Sequence, residues 1–143
     1  MRKIGVLGAS ALALAAAACT QQPQAMTQAQ LVERGSYLVN NIGGCNDCHT
    51  PMTPQGPDMQ HALQGADLVI QLRPGIDVPW AATAPQIAGG PAGYTDEQFV
   101  SFLQNGERPD GTRPRPPMPA FRFNEEDSRA VVAYIKTVPR AQN

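Results

Sequence analysis

Hydrophobic and polar positions along this chain resolve into three helical stretches set in a long irregular background. Leu31, Gly35, Leu38 and Ile42 recur at the spacing that keeps side chains on one helical face, and Thr27 with Gln30 stands where a capping box would open that helix. The pattern predicts a first helix over 28–41. Gly35 inside it costs about 1 kcal/mol relative to alanine, so it marks either a close helix crossing or a tolerated defect. Tyr134 is a candidate to pack over it, the alternative being a core tyrosine packed elsewhere. Thr95, with Gln98 three residues on, begins a second helix whose Phe99, Phe102 and Leu103 share a face before Asn105-Gly106 ends it. The third begins at Asn124, with Glu125, Glu126 and Asp127 at the positive end of the helix dipole, and repeats Val131, Tyr134, Ile135 and Val138 before Pro139.

From Thr50 to Gly93 the periodicity fades and prolines and glycines punctuate the chain. A short strand over Leu68 to Leu72 is the one regular element expected there. With 143 residues, 42% hydrophobic and 16% charged, the chain suits one globular domain and excludes a disordered tail or coiled coil. Fourteen prolines and thirteen glycines imply much irregular backbone. A small fold orders such backbone more easily when a large apolar group supplies part of its interior.

The N-terminus has the form of an export signal, expected to span 1–18. Arg2 and Lys3 precede an uncharged stretch from Ile4 to Ala18, and Ala16-Ala17-Ala18 supply the small residues that a signal peptidase needs. Leu14 to Cys19 also resembles a bacterial lipobox, with Ala16 where leucine is usual. Cys19 is therefore the expected lipid attachment site, the alternative being ordinary cleavage to a soluble periplasmic form. The apolar stretch falls short of the ~20 residues that span a bilayer as an uncleaved anchor. A polar tether over 19–27, a domain over 28–139 and a tail over 140–143 follow. Cleavage removes two of the eleven cationic side chains and none of the twelve acidic ones. A mildly acidic domain does not point to nucleic acid.

The chemistry concentrates in Cys45-Asn46-Asp47-Cys48-His49. Two thiols two positions apart can each add to one vinyl group of the same porphyrin, with the adjoining imidazole held beneath the iron. A bare thiol redox pair would not need His49, and zinc would need a fourth ligand. If Cys19 carries lipid and Cys45 and Cys48 carry haem, none of the three cysteines remains for a disulfide. For the other side of the iron, Arg113-Pro114-Arg115-Pro116-Pro117-Met118-Pro119 is a stiff, proline-locked loop that can present the Met118 sulfur with little loss of backbone freedom. Met52 follows His49 too closely, Met26 lies by the tether, and Met59 lacks as rigid a setting. His61 would give bis-histidine ligation, although a lone loop histidine is more often solvated.

On these residues the chain resembles a class I, single-haem cytochrome c, of the bacterial branch found as exported cytochromes and as cytochrome subunits of membrane dehydrogenases. The resemblance is carried by Arg34 to Leu38, Gly44 to Pro51, Tyr94 to Phe99, Asn105-Gly106 to Asp110-Gly111, Met118-Pro119 with Phe121, and Asp127 to Ile135. Relatives often have asparagine where this chain has Gln86. The resemblance implies an all-α cytochrome c fold of three main helices, with long loops wrapped around one haem c bound covalently through Cys45 and Cys48. His49 is then the proximal ligand and Met118 the distal one, and the carbonyl of Pro57 accepts the His49 Nδ1 proton. Trp80, Arg73 and Arg115 are candidates for the haem propionates, against a core tryptophan and solvated arginines.

That ligand set implies a one-electron carrier, with no catalytic residues of its own, serving a dehydrogenase, reductase or oxidase. Arg108, Arg113, Arg115 and Arg122 surround the methionine loop in sequence and suggest a positive patch for the partner. The alternatives are a haem enzyme or gas sensor with an open iron position, and a lipoprotein using a Cys45/Cys48 dithiol without haem.

Overall fold

Local capping chemistry starts each of the long helices where the sequence pattern places them. The computed structural model describes residues 24–141; the expected export segment and Cys19 lie outside the described residues. Helix α1 (Gln28–Tyr37) opens on Thr27, whose backbone N–H donates to the Gln30 side chain at 2.9 Å while its hydroxyl accepts the Gln30 amide. Helix α3 (Asp96–Asn105) opens on the same reciprocal pair, Thr95 with Gln98, and ends where Gly106 turns left-handed at φ +70°. Helix α4 (Glu125–Ile135) opens on Asn124, which accepts the Asp127 amide at 2.7 Å.

The described residues form a mostly helical fold with little sheet. Beside the three expected helices stands a fourth among the described residues, the short α2 (Cys45–His49). The first helix does not continue as α-helix to residue 41. From Leu38 to Ile42 it widens into a π-helical turn, in which Gly43 N–H reaches back to the Leu38 carbonyl at 2.7 Å. The extra residue buries Leu38 and Val39 together and brings Asn40 to Ser36, Tyr134 and Asn46.

Helix α1 crosses α4 at Gly35. A Cβ placed on Gly35 would lie 1.9 Å from the Ala130 carbonyl oxygen and 2.7 Å from Tyr134 Cβ. Gly35 thus marks a crossing, with Tyr134 packed over it as one of two neighbours. Arg34 and Asp127 pair across the same helices at 2.8 Å, a solvent-screened contact that adds little to stability. The core behind the crossing joins Leu38 and Val39 to Phe99, Leu103, Val131 and Ile135, side chains that each contribute roughly 1.5–3 kcal/mol when fully buried.

The chain between α2 and α3 is held by two small antiparallel ladders. β1 (Met52–Thr53) pairs with β2 (Gly56–Pro57), and β3 (Ala66–Asp67) with β4 (Thr83–Ala84). The strand expected over Leu68–Leu72 is not there. One further bond, Leu68 N–H to the Ala82 carbonyl at 2.8 Å, continues the β3–β4 ladder, and the chain then leaves it. Val69 and Ile70 are 67% and 48% exposed, so that segment has no buried face to hold it against a partner strand.

Candidate functional site: a thiol- and imidazole-lined apolar cavity

Gly44 turns the backbone left-handed at φ +58° directly before α2, where a Cβ would lie 2.8 Å from an Asp47 carboxylate oxygen. One helical turn then places Cys45, Cys48 and His49 on a common face, at positions i, i+3 and i+4. All three line one cavity of about 480 Å³. Its floor is apolar, made by Ile87, Phe99, Phe102, Leu103, Val131 and Ile135. Met118, Pro119 and Phe121 line the same space from the loop between α3 and α4.

Both thiols are free rather than joined in a disulfide. Burial pushes the Cys45 thiol up to about 11 and raises that of Cys48 as well, with the Asp47 carboxylate nearby acting in the same direction. The pair is therefore protonated at neutral pH. His49 is buried, and that burial lowers its basicity against the opposing effect of a hydrogen bond. That bond joins Nδ1 to the Pro85 carbonyl at 2.7 Å. A carbonyl can only accept, so the proton sits on Nδ1 and the lone pair on Nε2 is left available. The acceptor is not Pro57, as expected: Gly56-Pro57 is occupied in the β1–β2 ladder, while Pro85 reaches the ring from a strand end 36 residues away.

The methionine loop is fastened to its neighbours. Arg113 donates to the Asn105 carbonyl at the end of α3 at 3.1 Å, Arg108 to the Arg113 carbonyl at 2.8 Å, and Ala81 N–H to the Pro116 carbonyl at 2.8 Å. Gly106 lets the loop approach, since a Cβ there would stand 2.7 Å from that of Ala120. Among the described methionines, Met118 alone lines the cavity; Met52 and Met59 are exposed. His61 is also exposed, paired with Asp58 at 2.7 Å outside the cavity. Arg73 and Arg115 are exposed, and Trp80 is half-buried with its indole N–H on the Ile70 carbonyl at 3.0 Å; none of the three lines the cavity. The cationic side chain that does is Arg108, beside Tyr94. Nothing in the sequence around Arg108 singled it out from the other arginines of its loop.

An apolar slot with two thiols, a neutral imidazole and a thioether on its walls has the donor set and the size range of a site for a flat, hydrophobic, metal-bearing ring. The cytochrome c family model matches residues 32–139. This chain belongs to the cytochrome c family. A diheme cytochrome c-type protein of Cereibacter sphaeroides is 30% identical over 113 residues, covering 75% of this chain and 35% of that protein. The fructose dehydrogenase cytochrome subunit of Gluconobacter japonicus is 29% identical over 112 residues, covering 74% of this chain and 22% of that subunit. The chain thus spans about a third or less of the length of these relatives. Membership of the family makes this cytochrome an electron-transfer protein whose cofactor is covalently bound haem c, and Cys45, Cys48 and His49 provide the matching pentapeptide.

Proposed function

We propose that this cytochrome is a periplasmic one-electron carrier holding a single haem c through thioethers from Cys45 and Cys48, with His49 and Met118 as its axial ligands. The observation that carries the reading is the meeting of His49, both thiols and Met118 on the walls of one apolar cavity, although Met118 lies 69 residues beyond His49 in the chain. One pentapeptide among three cysteines supports one haem. When bound, that haem supplies a reversible Fe(III)/Fe(II) couple.

The protein's own part is positional. Pro85 keeps the His49 proton on Nδ1 and makes the ring the better donor at Nε2. The proline-rich loop, fastened by Arg108 and Arg113, presents the Met118 sulfur to the cavity, and as a neutral thioether ligand it would favour the ferrous state of a bound haem. Phe99, Phe102 and Leu103 line the cavity with apolar surface, which would keep water away from the haem and reduce the solvent reorganisation that accompanies electron exchange. With His49 and Met118 as ligands, exchange would be outer-sphere and would demand only a brief encounter with a partner.

The partner we propose is a dehydrogenase or respiratory complex, in keeping with the relative named as a dehydrogenase cytochrome subunit. The haem domain is assigned to 28–139, and Cys19 to lipid attachment on the periplasmic side of a bacterial membrane. No helix among the described residues is long and apolar enough to cross a membrane.

The ligand set is tested by Met118→Leu. The wild-type ferric protein should show the weak near-infrared band of sulfur-ligated haem and should resist carbon monoxide when reduced. The variant should lose the band, bind carbon monoxide rapidly, and fall in potential by something on the order of 100 mV. A wild type that already binds carbon monoxide rapidly would point to an open-site haem enzyme or gas sensor instead. The lipid assignment is tested by Cys19→Ala, which should move the protein from the membrane fraction to the soluble periplasm; an unchanged distribution removes it.

A further inference from the structure

Between α2 and the loops beneath it lies a set of buried polar contacts that ligation itself does not use. Thr50, 1% exposed, donates from its hydroxyl to Asn46 Oδ1 at 2.7 Å and accepts the Leu63 N–H on the same oxygen at 2.9 Å. Leu63, also 1% exposed, stands at φ +60°, the one positive-φ residue other than glycine among the described residues. A left-handed conformation costs such a side chain about 1–2 kcal/mol, and it persists where its surroundings over-determine it. Here they do. Besides the bond from its N–H to Thr50, its carbonyl accepts from the N–H groups of both Ile87 and Ala88, each at 2.9 Å.

The same turn grips α2 a second time. Gly65 N–H donates to the His49 carbonyl at 2.8 Å. Gly65 is itself left-handed at φ +87°, and a Cβ on it would lie 2.9 Å from the Gln86 nitrogen and 3.2 Å from the Pro85 carbonyl carbon. The 63–65 turn is therefore bonded to the end of α2 on one side and packed against the backbone of 85–88 on the other. Pro85 in that backbone is the residue whose carbonyl receives the His49 Nδ1 proton at 2.7 Å. The contacts close a ring from His49 through Thr50, Leu63, Ile87 and Pro85 back to His49.

We propose that Thr50 is a positioning residue for the axial imidazole. By holding Leu63 in its left-handed turn, the Thr50 hydroxyl sets how closely the Pro85 carbonyl approaches His49, and hence how strongly the ring donates to the iron. The inference rests on the ligation by His49 proposed above. A carbonyl drawing on the Nδ1 proton makes the ring more basic and favours the ferric state. Slackening that bond favours the ferrous state and raises the potential.

The test uses the full chain matured with haem, as wild type, Thr50→Val, Thr50→Ser and Gly65→Ala. Covalent haem is counted from the alkaline pyridine spectrum, the potential is read by spectroelectrochemistry, and amide exchange is followed at Leu63 and Ile87. Thr50→Ser keeps the hydroxyl and should match wild type. Thr50→Val and Gly65→Ala should raise the ferrous-to-ferric ratio at fixed ambient potential by about threefold or more, which at about 59 mV per tenfold is about 28 mV. Leu63 exchange should quicken at least about tenfold in Thr50→Val. Thr50→Val or Gly65→Ala carrying haem at the wild-type potential overturns the proposal. So does failure of both to yield haem protein beside a normal Thr50→Ser, since Thr50 would then serve folding alone. A wild type without covalent haem, or with haem not bound through His49, sinks the ligation reading instead.

Discussion

At Gly35 a single hydrogen atom in place of a methyl group decides whether two helices can touch. The 1.9 Å gap to the Ala130 carbonyl oxygen leaves no room for a side chain, and the obstacle is backbone of α4 rather than a movable side-chain tip. Gly35→Ala should therefore push α1 off α4 despite its better helix propensity. We expect a loss of about 3 kcal/mol or more, visible as a lowered thermal midpoint with the haem spectrum of the surviving protein unchanged. The glycine was legible in the sequence as an anomaly in a helical repeat, and its partner Tyr134 was legible as a helical position. Ala130, the nearer neighbour, was not, because an alanine carries no signal of what its carbonyl faces. The acceptor for His49 escaped for a related reason. Pro57 is near in sequence, while Pro85 is near in space, brought there by the β3–β4 ladder and the turn at Leu63.

Among the elements, those that announce themselves do so through local chemistry. Each capping box satisfies its own helix's orphan amides within four residues, so Thr27 with Gln30 and Thr95 with Gln98 are readable without knowing the fold. Asn124 caps α4, whose inner face supplies Val131 and Ile135 to the cavity floor. Asn124→Ala should cost about 1 kcal/mol and lower the thermal midpoint by about 4–6 °C. An unchanged midpoint would mean that tertiary packing alone sets the start of α4. The π-helical turn over Leu38–Ile42 has no such local signature. It carries Asn40 to Ser36, Tyr134 and Asn46, partners drawn from α1, α4 and α2.

For the whole molecule, the question is how a mildly acidic domain meets its electron partner. Two of the four arginines around the methionine loop are committed to structure, Arg108 and Arg113 donating to backbone carbonyls. Arg115 and Arg122 are exposed and are the pair to which we assign steering. Replacing both with glutamine should slow electron exchange with an acidic partner severalfold at low ionic strength. The difference should vanish as salt shortens the Debye length from about 30 Å at 0.01 M to about 3 Å at 1 M. Stopped-flow rates that match wild type at low salt would remove the patch.

By itself the sequence determined the chemistry and the repeating elements: a Cys-X-X-Cys-His run, capped amphipathic helices and a stiff methionine loop each depend on residues within a few positions of one another. Only the tertiary structure decided which proline holds the imidazole, which arginine enters the cavity, and that a threonine braces a left-handed leucine beneath the site. Those choices join segments tens of residues apart, and the spacing of side chains along a chain carries no record of which distant backbone groups folding will bring within hydrogen-bonding reach.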